Sequence, residues 1–105
     1  MKKVFEYTNY RLYLKDQYDE LKQTSSSFSY RYFSRKCGFK SPNFLKLIID
    51  GQRNLSSESI GTFANFFKLG KRETDYFRKL VFFNQAKNTS EKESLAKEIL
   101  NSSLF

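Results

Sequence analysis

Apolar and polar positions alternate along the chain with a helical period, and five or six helices can be marked out from that pattern alone. Tyr10, Leu14, Tyr18 and Leu21 follow the i, i+4, i+8, i+11 spacing of one helix face, with Lys15, Asp16, Asp19 and Glu20 mostly opposite and Thr8 placed as N-cap. The polar run Lys22-Gln23-Thr24-Ser25-Ser26-Ser27 ends that helix. Ser29 is positioned to cap a second helix running to about Cys37, with Phe28 and Phe33 at the two ends of a hydrophobic staple. Gly38 supplies a left-handed stop, and Phe39 follows where a Schellman motif puts its apolar contact. Ser41 as N-cap and Pro42 at the first helical position predict a third helix to about Asp50, closed by Gly51. The turn between helices two and three is then only about three or four residues.

Ser56 caps a predicted fourth helix whose Ile60, Phe63, Ala64 and Phe67 line a core face, and Leu69-Gly70 breaks it. A fifth helix starts at Lys71, with Glu73 three residues after Gly70 and with Tyr76, Phe77, Leu80 and Val81 buried, and it ends between Asn84 and Asn88. Ser90 and Glu93 form a capping-box pair for a last helix with Leu95, Ile99 and Leu100 on one face. The apolar ending Leu104-Phe105 suggests either the N-terminal fragment of a longer protein or a helix that packs on another subunit, so a homodimer or a missing C-terminal domain is an expected partner.

Composition narrows the class. With 105 residues, one Pro and four Gly, the chain suits a single domain of long helices better than a turn-rich β fold. No run approaches the roughly 18 apolar residues that span a bilayer, and no signal-peptide core precedes Tyr10, which makes a cytoplasmic protein with no membrane partner the expectation. There is no His and one Cys, Cys37, which reads as a small core residue; neither a metal nor another cofactor is expected. The net charge of +8 is uneven, because residues 28–54 hold six Lys/Arg against one Asp, or +5. Such a basic segment suits a polyanion, and nucleic acid is the commonest one inside a cell. Catalytic groups are scarce: acidic residues are scattered, and Gly38, Gly51, Gly61 and Gly70 are too far apart for a phosphate loop, so no enzyme activity is expected.

Two short helices around Gly38 resemble a helix-turn-helix. The stretch from Phe28 to Phe39, with Phe33, Cys37 and Phe39 in buried slots, is similar to the first helix and turn of the phage-repressor-like (XRE-type) family. Ser41-Pro-Asn-Phe-Leu-Lys-Leu-Ile48 resembles its recognition helix, and Gly51-Gln-Arg53-Asn54 its Gly-x-Arg-x loop, with one extra residue near Lys40. The chain also resembles the N-terminal part of an uncharacterised bacterial paralogous family regarded as transcriptional regulators. That resemblance is carried by Phe5-Glu-Tyr-Thr-Asn-Tyr-Arg11, Phe28-Ser-Tyr-Arg-Tyr-Phe33, Ser41-Pro-Asn-Phe-Leu-Lys-Leu47, Ile49-Asp-Gly51, Arg53-Asn-Leu55 and Phe82-Phe-Asn-Gln-Ala86. These resemblances imply an all-α, five- to six-helix lambda-repressor-like domain, with the helix-turn-helix core at about 28–69 and C-terminal helices at 71–103. They further imply a dimeric DNA-binding head whose relatives continue into a second domain.

On that reading the third helix enters the major groove of double-stranded DNA. Asn43 is the leading base reader, because its amide can bond adenine N6 and N7 together, and Phe44 and Leu47 offer apolar contacts such as one to a thymine methyl. Arg31, Arg35, Lys36, Lys40, Ser41, Lys46 and Arg53 are the phosphate candidates. Two features depart from the repressor pattern. Pro42 occupies a position usually held by a polar reader, and Leu45 with Ile48 would suffice for the core, so some of Phe44, Leu47 and Ile49 are expected to face outward. An outward oily ridge suits a second function, a protein-interaction or dimerisation module that keeps the same shape. RNA recognition through Tyr10, Tyr13 and Tyr18 is a third reading, but their helical spacing suits a core.

Overall fold

The computed structural model of the protein describes residues 2–103, apart from the side chain of Ser103. Among the described residues every regular element is helical. A 3₁₀ turn, Val4–Glu6, precedes α1 (Tyr10–Thr24), α2 (Tyr30–Cys37), α3 (Phe44–Ile49), α4 (Ser57–Phe66), α5 (Lys71–Gln85) and α6 (Thr89–Ser103). The all-α class expected from the periodicity is the observed one. Among these residues no helix is long and apolar enough to cross a membrane. The expected roles of Leu104 and Phe105 lie outside the described residues.

The helices group into two compact units, Arg11–Leu55 and a second formed by Met1–Tyr10 with Ser56–Phe105. α4 falls in the second of these units, where it packs on α5.

In the Arg11–Leu55 unit, Tyr13, Leu14 and Gln17 are buried on α1, while Tyr18 is only half-buried. The Tyr18 ring stacks on Tyr30 with centroids 4.0 Å apart and leans on Phe28 at 5.3 Å. Ser29 caps α2, its hydroxyl accepting from the Tyr32 N–H at 3.0 Å. Gly38, at φ +81°, ends α2 with the paired bonds of a Schellman motif: its N–H donates to Arg35 O, and the Phe39 N–H to Ser34 O at 2.9 Å. Gly51, at φ +80°, closes α3 the same way, with bonds from Gly51 to Ile48 O and from Gln52 to Leu47 O.

α3 begins later than the sequence suggests. Its first residue is Phe44, and Ser41 to Phe44 form a turn in which the Phe44 N–H donates to Ser41 O. Pro42 fits that arrangement as well as it fits a first helical turn, since a fixed φ near −65° suits both. The Ser41 hydroxyl does not cap the helix; it donates to Asn43 Oδ1 at 2.8 Å. The connection between α2 and α3 therefore runs from Gly38 to Asn43, longer than the three or four residues expected.

In the other unit, α5 is the central element, packed against α4, α6 and the 3₁₀ turn. Tyr76, Phe77, Leu80 and Val81 are all buried, as their spacing predicts. The Tyr76 hydroxyl donates to the Tyr7 carbonyl at 2.8 Å, and Phe5 sits 5.2 Å from the Tyr76 ring. Three boundaries shift from the expected ones. The first helix starts at Tyr10, not directly after Thr8, and the Tyr10 N–H donates to the amide oxygen of Asn84 at 2.8 Å. Lys68, at φ +57°, takes the left-handed position after α4, leaving Gly70 to precede α5, where the Gly70 N–H donates to the Glu73 carboxylate at 3.1 Å. Asn88, not Ser90, caps α6 by accepting from the Glu91 N–H at 2.8 Å, because either residue can cap and Asn88 comes first. On α6, Ile99 is buried and Leu95 half-buried, whereas Leu100 is 60% exposed.

Candidate nucleic-acid interface

α2 buries one side and presents cations on the other. Phe33 and Ser34 are buried and Cys37 half-buried, which leaves Arg31 and Arg35, one turn apart, and Lys36 on the outward side. Burial pushes the Cys37 thiol pKa up, in keeping with an unreactive packing role. Lys40 follows in the turn. Arg31, Arg35, Lys36 and Lys40 are all exposed, and none has an ion-pair partner among the described residues.

Most of α3 and the two residues that flank it sort by face. Phe44, Leu45 and Ile48 point inward and are buried. Asn43, Lys46, Leu47 and Asp50 follow the i, i+3, i+4, i+7 spacing of one stripe, with Asn43, Lys46 and Asp50 exposed and Leu47 half-buried. Lys46 is tied to Asp50 at 2.7 Å, a bond that raises the lysine pKa first through the hydrogen bond and then through the carboxylate charge. Asp50 is thus a carboxylate on the candidate face that residue-by-residue reading did not single out.

Phe44 is the clear departure from expectation. Its ring stacks on Phe39 with centroids 4.3 Å apart, Phe39 in turn lies 6.2 Å from Phe33, and the Arg53 guanidinium sits 5.4 Å from the Phe44 centroid. The expected outward contact of Phe44 with a thymine methyl is therefore dropped, because the ring is buried between Phe39 and the Arg53 guanidinium. Only Leu47 and Ile49 remain as half-buried apolar residues on α3, and the oily ridge is smaller than the sequence suggests.

A residue outside the candidate set organises the loop after α3. The Arg11 guanidinium donates through Nη1 to the carbonyls of Ile48 and Arg53 and through Nη2 to Asn54 Oδ1 at 2.8 Å. Arg11 precedes these acceptors by 37 to 43 positions, and nothing local in the sequence signals the pairing.

A second basic surface lies on α5 in the other unit. There a shallow cleft of about 640 Å³ is lined by Lys71, Arg72, Arg78 and Lys79, with Asp75 and Glu98 among its walls. Lys79 is already engaged, by Asp75 at 2.9 Å and by the Ser102 hydroxyl at 2.9 Å. No protein-family model matches the chain, and neither does any curated protein or solved structure.

Proposed function

We propose that the protein binds double-stranded DNA as the helix-turn-helix domain of a bacterial transcriptional regulator, with α2, the Gly38 turn and the outward stripe of α3 as the contact face. The observation that carries this reading is the set of four exposed cations, Arg31, Arg35, Lys36 and Lys40, beside that stripe, which have no ion-pair partner among the described residues. Cations paired with carboxylates on their own surface have little left to offer a phosphate, whereas these four are available to displace counterions from a duplex. Arg53 adds a fifth positive group, steadied by the Phe44 ring.

Base reading falls to Asn43. Its Oδ1 accepts from Ser41, yet an amide oxygen has two lone pairs and its Nδ2 remains a donor, so a paired contact with adenine is still open. Leu47 supplies apolar contact, and Asp50 can accept from cytosine N4 or turn away a wrong base. A short face of this kind reads few base pairs, which favours a dimer that combines two half-sites, working in the cytoplasm. The docking alternative, an apolar face on α3, has lost Phe44 to the core.

Titration of a labelled duplex across salt tests the proposal. Binding is expected at about 50 mM salt with a steep log–log decline, and each of Arg31→Ala, Arg35→Ala, Lys36→Ala and Lys40→Ala should flatten the slope by about 0.9. Absence of binding at that salt, or a slope untouched by all four changes, would contradict it.

A further inference from the structure

We infer that Arg11 is a positioning residue for this DNA-binding face, acting through the loop after α3 to hold Arg53 where it meets a phosphate; the inference rests on the duplex-binding reading above. A helix of six residues is marginal by itself, and its last carbonyls need partners. Backbone N–H groups from Asp50 to Gln52 meet those of Lys46, Leu47 and Ile48, and the Arg11 side chain adds a second donor to Ile48 O from α1. One Nη1 group serves Ile48 O and Arg53 O while Nη2 serves Asn54 Oδ1, so a single planar fork bonds both sides of the Gly51 turn. A cation at the C-terminal end of α3 also complements the partial negative charge there.

Fixing the Arg53 carbonyl restricts where its side chain starts, and the guanidinium then rests 5.4 Å from the Phe44 centroid while the residue stays exposed. The Phe44 ring thereby steadies the guanidinium, and an exposed Arg53 keeps N–H donors that a phosphate oxygen can accept from. Lysine at position 11 would preserve the charge but not the fork, since an ammonium cannot meet three separated acceptors with planar geometry.

The test is duplex binding by wild type, Arg11→Lys, Arg53→Ala and the double variant, with circular dichroism and thermal unfolding run on each. Arg11→Lys should weaken binding by about five- to tenfold and flatten the salt slope by about 0.9, as if the Arg53 contact were gone. Adding Arg53→Ala to it should cost less than about twofold more, the non-additivity expected of residues acting as one unit. Should Arg11→Lys fail to fold, Asn54→Ala takes its place, because it removes one exposed acceptor only; a loss of about two- to threefold that vanishes in the Arg53→Ala background is then expected. A folded Arg11→Lys that binds within twofold of wild type, losses that multiply, or an Asn54→Ala without effect overturns the inference alone. Wild-type protein that ignores duplex overturns the functional reading and this inference with it.

Discussion

Asn84 caps the start of α1 from 74 positions away, its Oδ1 accepting the Tyr10 N–H at 2.8 Å while its Nδ2 donates to the Thr8 carbonyl at 3.1 Å. Next to it, Gln85 Oε1 accepts from the Tyr10 hydroxyl at 2.6 Å. One amide thus does for the chain entering α1 what a neighbouring Ser or Asp usually does. Asn84→Ala should cost about 1–2 kcal/mol in urea unfolding, the range of a lost N-cap. Asn84→Asp should lose less, because it keeps the acceptor for Tyr10 and removes only the donor to Thr8.

Ser34 behaves in the opposite way. Its side-chain oxygen is buried without a hydrogen-bond partner among the described residues, on the inward side of α2. Ser34→Ala should therefore raise stability by about 1 kcal/mol, through removal of an unsatisfied hydroxyl and a better helix former in its place. A loss of stability on that change would show that the hydroxyl has a partner after all.

Lys68 holds a left-handed conformation, φ +57°, that a side chain disfavours. Lys68→Gly should stabilise by about 0.5–1 kcal/mol, less than the full left-handed penalty because glycine also loosens the unfolded chain. Gly38→Ala is the mirror test, and it should destabilise by about 1 kcal/mol or more, for at φ +81° the open space around the residue does not relieve the backbone.

Alkaline pH should weaken the fold. Burial raises the pKa of Tyr76, and burial followed by the nearby Tyr18 raises that of Tyr30. A group whose folded pKa lies above its unfolded value leaves the unfolded state proton-poor first, so its stabilisation is intact below the ordinary tyrosine value of about 10 and is lost as pH climbs past it. Tyr76→Phe should lower stability at neutral pH by about 1 kcal/mol, through loss of the hydrogen bond to the Tyr7 carbonyl, and flatten the decline above pH 10. A decline identical to wild type would contradict the role of Tyr76.

Contacts three or four positions apart were readable along the chain. Ser29, Ser56 and Glu73 cap where expected, and Gly38 and Gly51 stop their helices, because donor, acceptor and backbone demand all lie within one turn. Local chemistry was ambiguous at Pro42, which suits a turn or a helix start, and between Asn88 and Ser90, which cap equally well. The candidate face was legible as far as its cations, since Arg31, Arg35 and Lys36 fall opposite Phe33 and Cys37 on α2 and Lys40 lies in the turn after Gly38. Its support was not. Arg11 and Asn84 act across 37 or more positions, and Phe44, expected to face outward, is buried because Phe39 and Arg53 close over it.

Amide chemical shifts of isotope-labelled protein, followed while a short duplex is added at low salt, locate the contact face directly. The largest changes should fall on Arg31, Arg35, Lys36, Lys40, Asn43, Lys46 and Arg53, with α5 little affected. Largest changes on Lys71, Arg72 and Arg78, with residues 29–54 unmoved, would contradict the assignment of DNA binding to α2, the Gly38 turn and α3.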